Sequence, residues 1–399
     1  MGALSGIRVV EVGRYVSAPM ASVMLADLGA QLIKVENPNG GDPFRGWSHS
    51  DGYSPNFRSL NRNKLCLSLD VASEQGKEYL LKLLDESDVV IENFRDGQTE
   101  RWGWGYETVS ARNPRIVYCS ISGFGSVGPY RNRPGYDTVG QAMSGLLSVL
   151  TNMSSPEPMG ISFADHLAGI YGAYGILAAL ISRSQTGRGQ KVETSLLQAT
   201  VSFQSENIAN YFATGDVPTH DRRARTAGVW TLVGKDGKPF AVHLSTPPKF
   251  WQGFATVAGH PEWIDDPRFK DRAARRANYD ELSKEVKAAF AKKNRDEWLR
   301  ELEAIDVPCS PLNDMSEVFE DPQIQALGMK RSIFHPEMGE VELAGPGVSL
   351  SGTPLDWELA PPLLGEHTEE VLEMIGCSKQ EIEALIDSGV ASREGRSNK

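Results

Sequence analysis

Cysteine is scarce in this sequence: Cys66, Cys119, Cys309 and Cys377 stand far apart among 399 residues and form no CxxC pair. That spacing argues against a disulfide framework and reads as buried, reduced thiols in a cytoplasmic protein. Histidine is also sparse, with seven residues and no pair at metal-ligand spacing, so no metal site is expected. Positive charge is in deficit. A net charge of −11 lacks the basic footprint that nucleic-acid binding requires, although a few arginines and helix N-termini can still hold a small anion. Long apolar runs are missing too. The amino-terminal MGALSGIRVVEV has no basic segment leading into one, so no signal peptide is expected. The most apolar stretch, around 167–181, is broken by Gly169, Gly172 and Gly175. It suits helix packing inside a protein better than a membrane span.

What the chain does have is alternation. IRVVEV (7–12), QLIKVE (31–36), LCLSLD (65–70), DVVIEN (88–93) and RIVYCSIS (115–122) are strand-like, with helical segments such as MASVMLADLGA and EQGKEYLLKLLDE between them. This is the pattern of a parallel sheet covered by helices. From 137 the pattern turns helical, and TGRGQKVETSL (186–196) is a turn into a further strand. A polar, basic stretch from 215 to 228 reads as linker. TLVGKDGKPFAVHL then gives two strands joined at Asp236-Gly237, a hairpin signal that opens a smaller α+β domain over 226–325.

The stretch ISGFGSVGPYRNRPGYD (121–137) holds Gly123-x-Gly125-x-x-Gly128, the spacing of a dinucleotide-binding loop. Such a loop needs a strand before it and a helix after it, with its N-terminus on the pyrophosphate. The strand is present, but Pro129 and Pro134-Gly135 deny the helix. NAD is therefore not expected. The glycines instead turn the chain tightly towards Gly135-Tyr136-Asp137.

Seven segments, taken together and in order, resemble the class III CoA-transferase family, which includes formyl-CoA transferase and carnitine CoA-transferase. They are LADLGAQLIKVENPNGGDPFR (25–45), NRNKLCLSLD (61–70), DVVIENFRDGQTERWG (88–103), GFGSVGPYRNRPGYD (123–137), DHLAGIYGAYGILAAL (165–180), TGRGQKVETSL (186–196) and LGEHTEEVL (364–372). The resemblance implies an α/β fold in which a large Rossmann-like domain is built from both chain ends, 1–214 and 326–391. A linker at 215–225 leads to the small domain, and 392–399 is a frayed tail. It also implies two identical subunits interlocked like chain links. No cofactor is held permanently; coenzyme A arrives as acyl-CoA and leaves on a carboxylic acid.

By the same resemblance the nucleophile is Asp165. An aspartate at its ordinary pKa of ~3.9 is almost wholly ionised at neutral pH and needs no separate base. Local sequence reads Asp165 as a helix N-cap, a role that coexists with catalysis because a helix N-terminus would keep the carboxylate charged. Ala168, Gly169 and Gly172 follow it, leaving room for a bulky thioester. The cofactor wall implied by the family comprises the Val16-Ser17-Ala18 turn, Asn37, Leu69, Asn93, Phe94 and Arg101. The family often carries a basic residue where Asn37 stands, which would pass the phosphates to Arg45, Arg62 or Lys64.

The family also includes alpha-methylacyl-CoA racemases, which place a histidine before the aspartate in the stretch that here reads Gly135-Tyr136-Asp137. A phenol is a poor proton shuttle at neutral pH but a good hydrogen-bond donor, so Tyr136 favours the transferase. A racemase and a non-catalytic CoA-ester binding protein are the alternatives. Val16 stands where formyl-CoA transferases carry glutamine, and no glycine-run lid is present, which disfavours oxalate and formate. The run Arg222, Arg223, Arg225 either greets a second carboxylate or is a solvated linker.

Overall fold

The computed structural model describes residues 1–49, 52–245, 247–355 and 357–393. Six runs, five carrying β-branched residues and β3 leucine-rich, form the parallel part of one sheet: β1 (Arg8–Glu11), β2 (Gln31–Glu36), β3 (Lys64–Leu69), β4 (Val89–Glu92), β5 (Val117–Ser122) and β6 (Lys191–Ser195). Their spatial order is β3-β2-β1-β4-β5-β6, and a short strand at Ala391–Ser392 adds antiparallel to β3. The α/β class and the parallel sheet expected from the alternation are thus present. This is the doubly wound order, whose reversal lies between β1 and β4. Ligands in such sheets bind beyond the C-terminal strand ends at that reversal.

Both faces of the sheet are covered, which is why the strands read as near-continuous apolar runs. Val10, Ile33, Leu67 and Val90 pack on one side with residues of the helices Glu74–Asp85 and Thr368–Met374. Val9, Leu32, Ile91 and Cys119 pack on the other, against α1 (Ser17–Asp27) and the long helix that carries Asp165, Phe163–Thr186. Helix α1 starts earlier than MASVMLADLGA implied. Val16 is its N-cap, and Ser17, Ala18 and Pro19 form its first turn, where proline's missing N–H costs nothing.

The long helix is apolar enough to cross a membrane by length and composition alone. In this fold its glycines face protein. A Cβ added at Gly169 would lie 2.7 Å from both Ser17 O and Met20 Cβ, and one at Gly175 would lie 2.6 Å from Val192 Cγ1. Ala168 is fully buried. These residues bring the helix onto α1 and the sheet; they do not leave room for a thioester, as the sequence suggested.

A second compact unit comprises residues 148–156 and 213–328. Its strands Val229–Val233, Pro239–His243 and Cys309–Pro311 form an antiparallel sheet with the expected hairpin at Asp236-Gly237. Trp230, Trp251, Phe254, Trp263, Phe290 and Trp298 fill its core. The stretch read as linker is partly ordered: Arg222–Ala227 is helical, and Arg225 pairs with Asp221 and Asp280, so its charge is already answered. At the other end, Ser392 of the expected frayed tail is paired in the closing strand, while 394–399 lie outside the described residues.

Gly169→Ala should lower the urea midpoint by the equivalent of about 1–3 kcal/mol with an unchanged m-value, because overpacking outweighs alanine's better helix propensity. An unchanged or raised midpoint would show that the contact with α1 gives way easily.

Candidate active site

The turn after β1 is held from below by charges with no access to water. Glu11 and Lys34 are register partners on β1 and β2, Lys64 stands at the start of β3, and all three are fully buried. Lys34 Nζ donates to Glu11 Oε1 (2.7 Å), Asp42 Oδ2 (3.0 Å) and Gly13 O (3.1 Å), and Lys64 Nζ donates to Glu11 Oε2 (2.7 Å). Burial alone would depress Lys34, but Glu11 and Asp42 overcome it and hold the ammonium above its ordinary pKa. The other oxygen of Asp42 accepts from Tyr15 N (3.0 Å). Tyr15 has φ of 61°, a left-handed conformation that costs an ordinary residue about 1–2 kcal/mol. The buried ions fix that strained turn.

The turn after β4 locks onto it. Asn93 accepts from Arg14 N (2.9 Å) and donates to Arg14 O (2.7 Å) and Ser17 Oγ (3.1 Å). Phe94 packs edge-on to Trp102 and lies under the Arg14 guanidinium, 4.9 Å from its ring centroid. After β5 no helix follows Gly128; the chain makes a loop and returns, as the two prolines implied. Gly123 and Gly135 pinch the loop shut, since a Cβ on either would come within 2.9 Å of the other's Cα. Tyr136 follows, 65% exposed and edge-on to Tyr15 at 6.3 Å.

These turns surround a cavity of about 300 Å³ whose lining includes Val16, Ser17, Asn93, Phe94, Tyr136 and Asp165. The Asp165 helix, Phe163–Thr186, points its N-terminus here. Asp165 is in its first turn but does not cap it. The cap is Asp137, whose Oδ1 accepts from Ala164 N (2.8 Å) and Asp165 N (3.3 Å), and whose Oδ2 accepts from Gln141 Nε2 (2.5 Å). The amides expected to keep Asp165 ionised are therefore taken by another carboxylate. Among the described residues Asp165's own carboxylate accepts no hydrogen bond. Burial first, and the neighbouring Asp137 charge second, push its pKa up to about 7. Asp165 is then far from wholly ionised at neutral pH, which corrects the expectation from its free value.

A second cavity, about 290 Å³, opens beyond the ends of β1, β2 and β3 and includes Asn37, Leu69, Asp70 and Trp102; Arg14 and Phe94 line both. The structure thus brings together eight of the ten expected residues around two adjoining cavities. Ala18 is fully buried and lines neither. Arg101 is exposed, bonded to Gln98, and also outside both linings. The alternative phosphate ligands fail more plainly. Arg45 is buried against Glu36, Arg62 against Asp27 and Lys64 against Glu11. The cations that do line the Asp165 cavity are Arg14, Arg95, Arg131 and Arg133, all exposed and without an acidic partner among the described residues. Sequence reasoning passed over them because arginine in a polar loop looks like solvated surface. It also missed the aromatic rim, where Tyr15 lies edge-on to Phe44, Trp47 and Tyr136.

A family model described as CoA-transferase family III matches residues 4–368. The succinyl-CoA:glutarate CoA-transferase of Mus musculus is 31% identical, covering 98% of this chain and 90% of its own length. The succinate–glutarate CoA-transferase of Agrobacterium fabrum is 34% identical over 92% of this chain and 94% of its own. A CaiB/BaiF family protein from Brucella suis matches in structure with a TM-score of 0.83 and 34% identity, covering 94% of this chain and 99% of that one.

Because Asp165's pKa is higher folded than unfolded, its ionisation opposes folding. That cost is absent near pH 4, grows as the pH rises towards 7 and is constant above. Asp165→Asn should therefore stabilise the protein at pH 8 by about 1–4 kcal/mol, with the gain fading towards pH 4 in chemical denaturation. Asp137→Asn still offers an oxygen to both amides but removes the charge. Carbon-13 titration should then show the Asp165 carboxyl moving down from about 7 in that variant. An unmoved titration would rule out Asp137 as a source of the shift.

Proposed function

The chain belongs to CoA-transferase family III, and from that premise we propose that it moves coenzyme A from an acyl-CoA to a carboxylic acid through covalent intermediates on Asp165. The observation that carries the reading is the bare Asp165 carboxylate in the cavity at the sheet's reversal. A carboxylate with no hydrogen bonds to lose is a stronger nucleophile once ionised. One oxygen attacks the thioester carbonyl, the carbon–sulfur bond breaks, and CoA departs as thiolate, leaving a mixed anhydride. The thiolate attacks the Asp165 carbonyl carbon and expels the donor's carboxylate, giving an aspartyl-CoA thioester. The acceptor carboxylate then attacks that thioester, and the released thiolate takes the acceptor's acyl group and frees Asp165.

The surroundings suit these steps. Ser17 begins α1 and lines the Asp165 cavity, its N–H has no capping side chain, and a first-turn amide is a donor suited to a developing oxyanion. Tyr136 offers a phenol to the substrate carbonyl. Arg14 and Arg95 suit the phosphates of CoA, and the second cavity, with Asn37, Leu69 and Trp102, suits its nucleotide end. The relatives named above act on succinate and glutarate, and we carry dicarboxylic acids to this chain as its substrate class. The racemase reading is less well served, because no histidine among the described residues lines the Asp165 cavity and His166 Nδ1 is turned to Ser162 O (2.8 Å). We also propose an interlocked homodimer. Tyr174 (69% exposed), Ile181 (64%) and Phe203 (54%) leave an apolar surface suited to a second copy.

Incubation with succinyl-CoA should add the mass of CoA, less water, to the intact protein at Asp165. Hydroxylamine should remove the adduct, and Asp165→Asn should lack both adduct and turnover. Full turnover in that variant would overturn the assignment.

A further inference from the structure

The geometry points to Arg131 and Arg133 as the subsite that holds the second carboxylate of a dicarboxylic substrate. This rests on the transferase reading and goes beyond it by assigning the groups that choose the acid.

Placement is the first argument. Of the four arginines lining the Asp165 cavity, Arg14 also lines the cavity assigned above to the nucleotide end, and Arg95 follows directly after Phe94, which lines both. Arg131 and Arg133 line the Asp165 cavity alone, on the pinched loop that ends in Tyr136. They stand with the acyl end. Rigidity is the second argument. Phe124 and Tyr130 pack edge-on at 6.2 Å, and the Arg133 guanidinium lies 4.7 Å from the Tyr130 centroid and 5.7 Å from that of Phe124. A guanidinium laid on two rings has already lost much of its rotamer freedom, so less is lost when it grips a carboxylate. Charge is the third. A dianion brought beside Asp165 and Asp137 meets two carboxyl groups in a protein of net charge −11. Without local cations that approach is repulsive, and these two have no acidic partner among the described residues. A monocarboxylic acid of the same length has no group to answer them.

The test compares glutarate with valerate as acceptor and succinyl-CoA as donor, in the wild type, Arg133→Met, Arg131→Met and Arg133→Lys. Free-CoA affinity is measured alongside by calorimetry. The wild type should prefer glutarate. Each methionine variant should lose about ten- to a hundredfold of that preference, through KM for glutarate, while CoA affinity holds. Lysine should recover part of the loss. An unchanged glutarate-to-valerate ratio would overturn the assignment. So would a fall in CoA affinity matching the loss, which would make these arginines phosphate ligands. If the wild type forms no adduct and exchanges no CoA, the transferase reading itself fails. The subsite is then decided by calorimetry of glutarate against valerate, where equal affinity in wild type and Arg133→Met rejects it.

Discussion

Two carboxylates compete for one helix N-terminus, and Asp137 holds it. Its two bonds to the Ala164 and Asp165 amides, with a third from Gln141, leave Asp165 beside a fixed negative charge with no donor of its own. The same contacts that start the long helix thus raise the energy of the carboxylate on its first turn. One side chain thus caps the helix and adds to the rise that burial already gives Asp165. A protein optimised only for folding would give those amides to the residue already in the helix. Here the helix takes its cap from Asp137, the first residue of a separate helix, Asp137–Met143, and the Asp165 carboxylate is left bare.

The rest of the cavity is organised around a comparable asymmetry. Glu11, Lys34, Lys64 and Asp42 are buried ions with close partners, a costly arrangement whose benefit is geometric definition. Through Asp42 they impose a left-handed Tyr15 and hence the direction of Val16 and Ser17 into the cavity. The cations on the rim are the opposite case: exposed, unpaired and available. Paired charges inside build the wall, and arginines without an acidic partner among the described residues stand at its edge.

The sheet was legible because burial on both faces leaves an unmistakable run of β-branched residues, as in RVVE and VVIE. The failure of the glycine motif was legible as well, since proline forbids a helix locally. What could not be read depends on contacts between distant segments. Nothing near Asp137 in sequence says that it caps a helix starting at Phe163. Nothing in NRNKL says that Lys64 ends on Glu11, so a basic residue near a matching motif looked like a phosphate ligand. Gly169 and Gly172 read as empty space, yet they mark close approach; a missing side chain has the same appearance in either case. Asn93 was read as a cofactor contact, and its polar atoms are engaged in joining two turns.

The strand at Ala391–Ser392 closes the edge of β3, and Thr368 bridges the two by accepting from Ser68 N and donating to Ser392 O. Ser68 and Thr368 are 300 residues apart. At a synthesis rate of about 5–20 residues per second, the β3 edge waits roughly 15–60 seconds for its neighbour to leave the ribosome. Throughout that interval a hydrophobic strand offers unpaired backbone groups to any passing chain. Until then the finished fold gives that edge no cover.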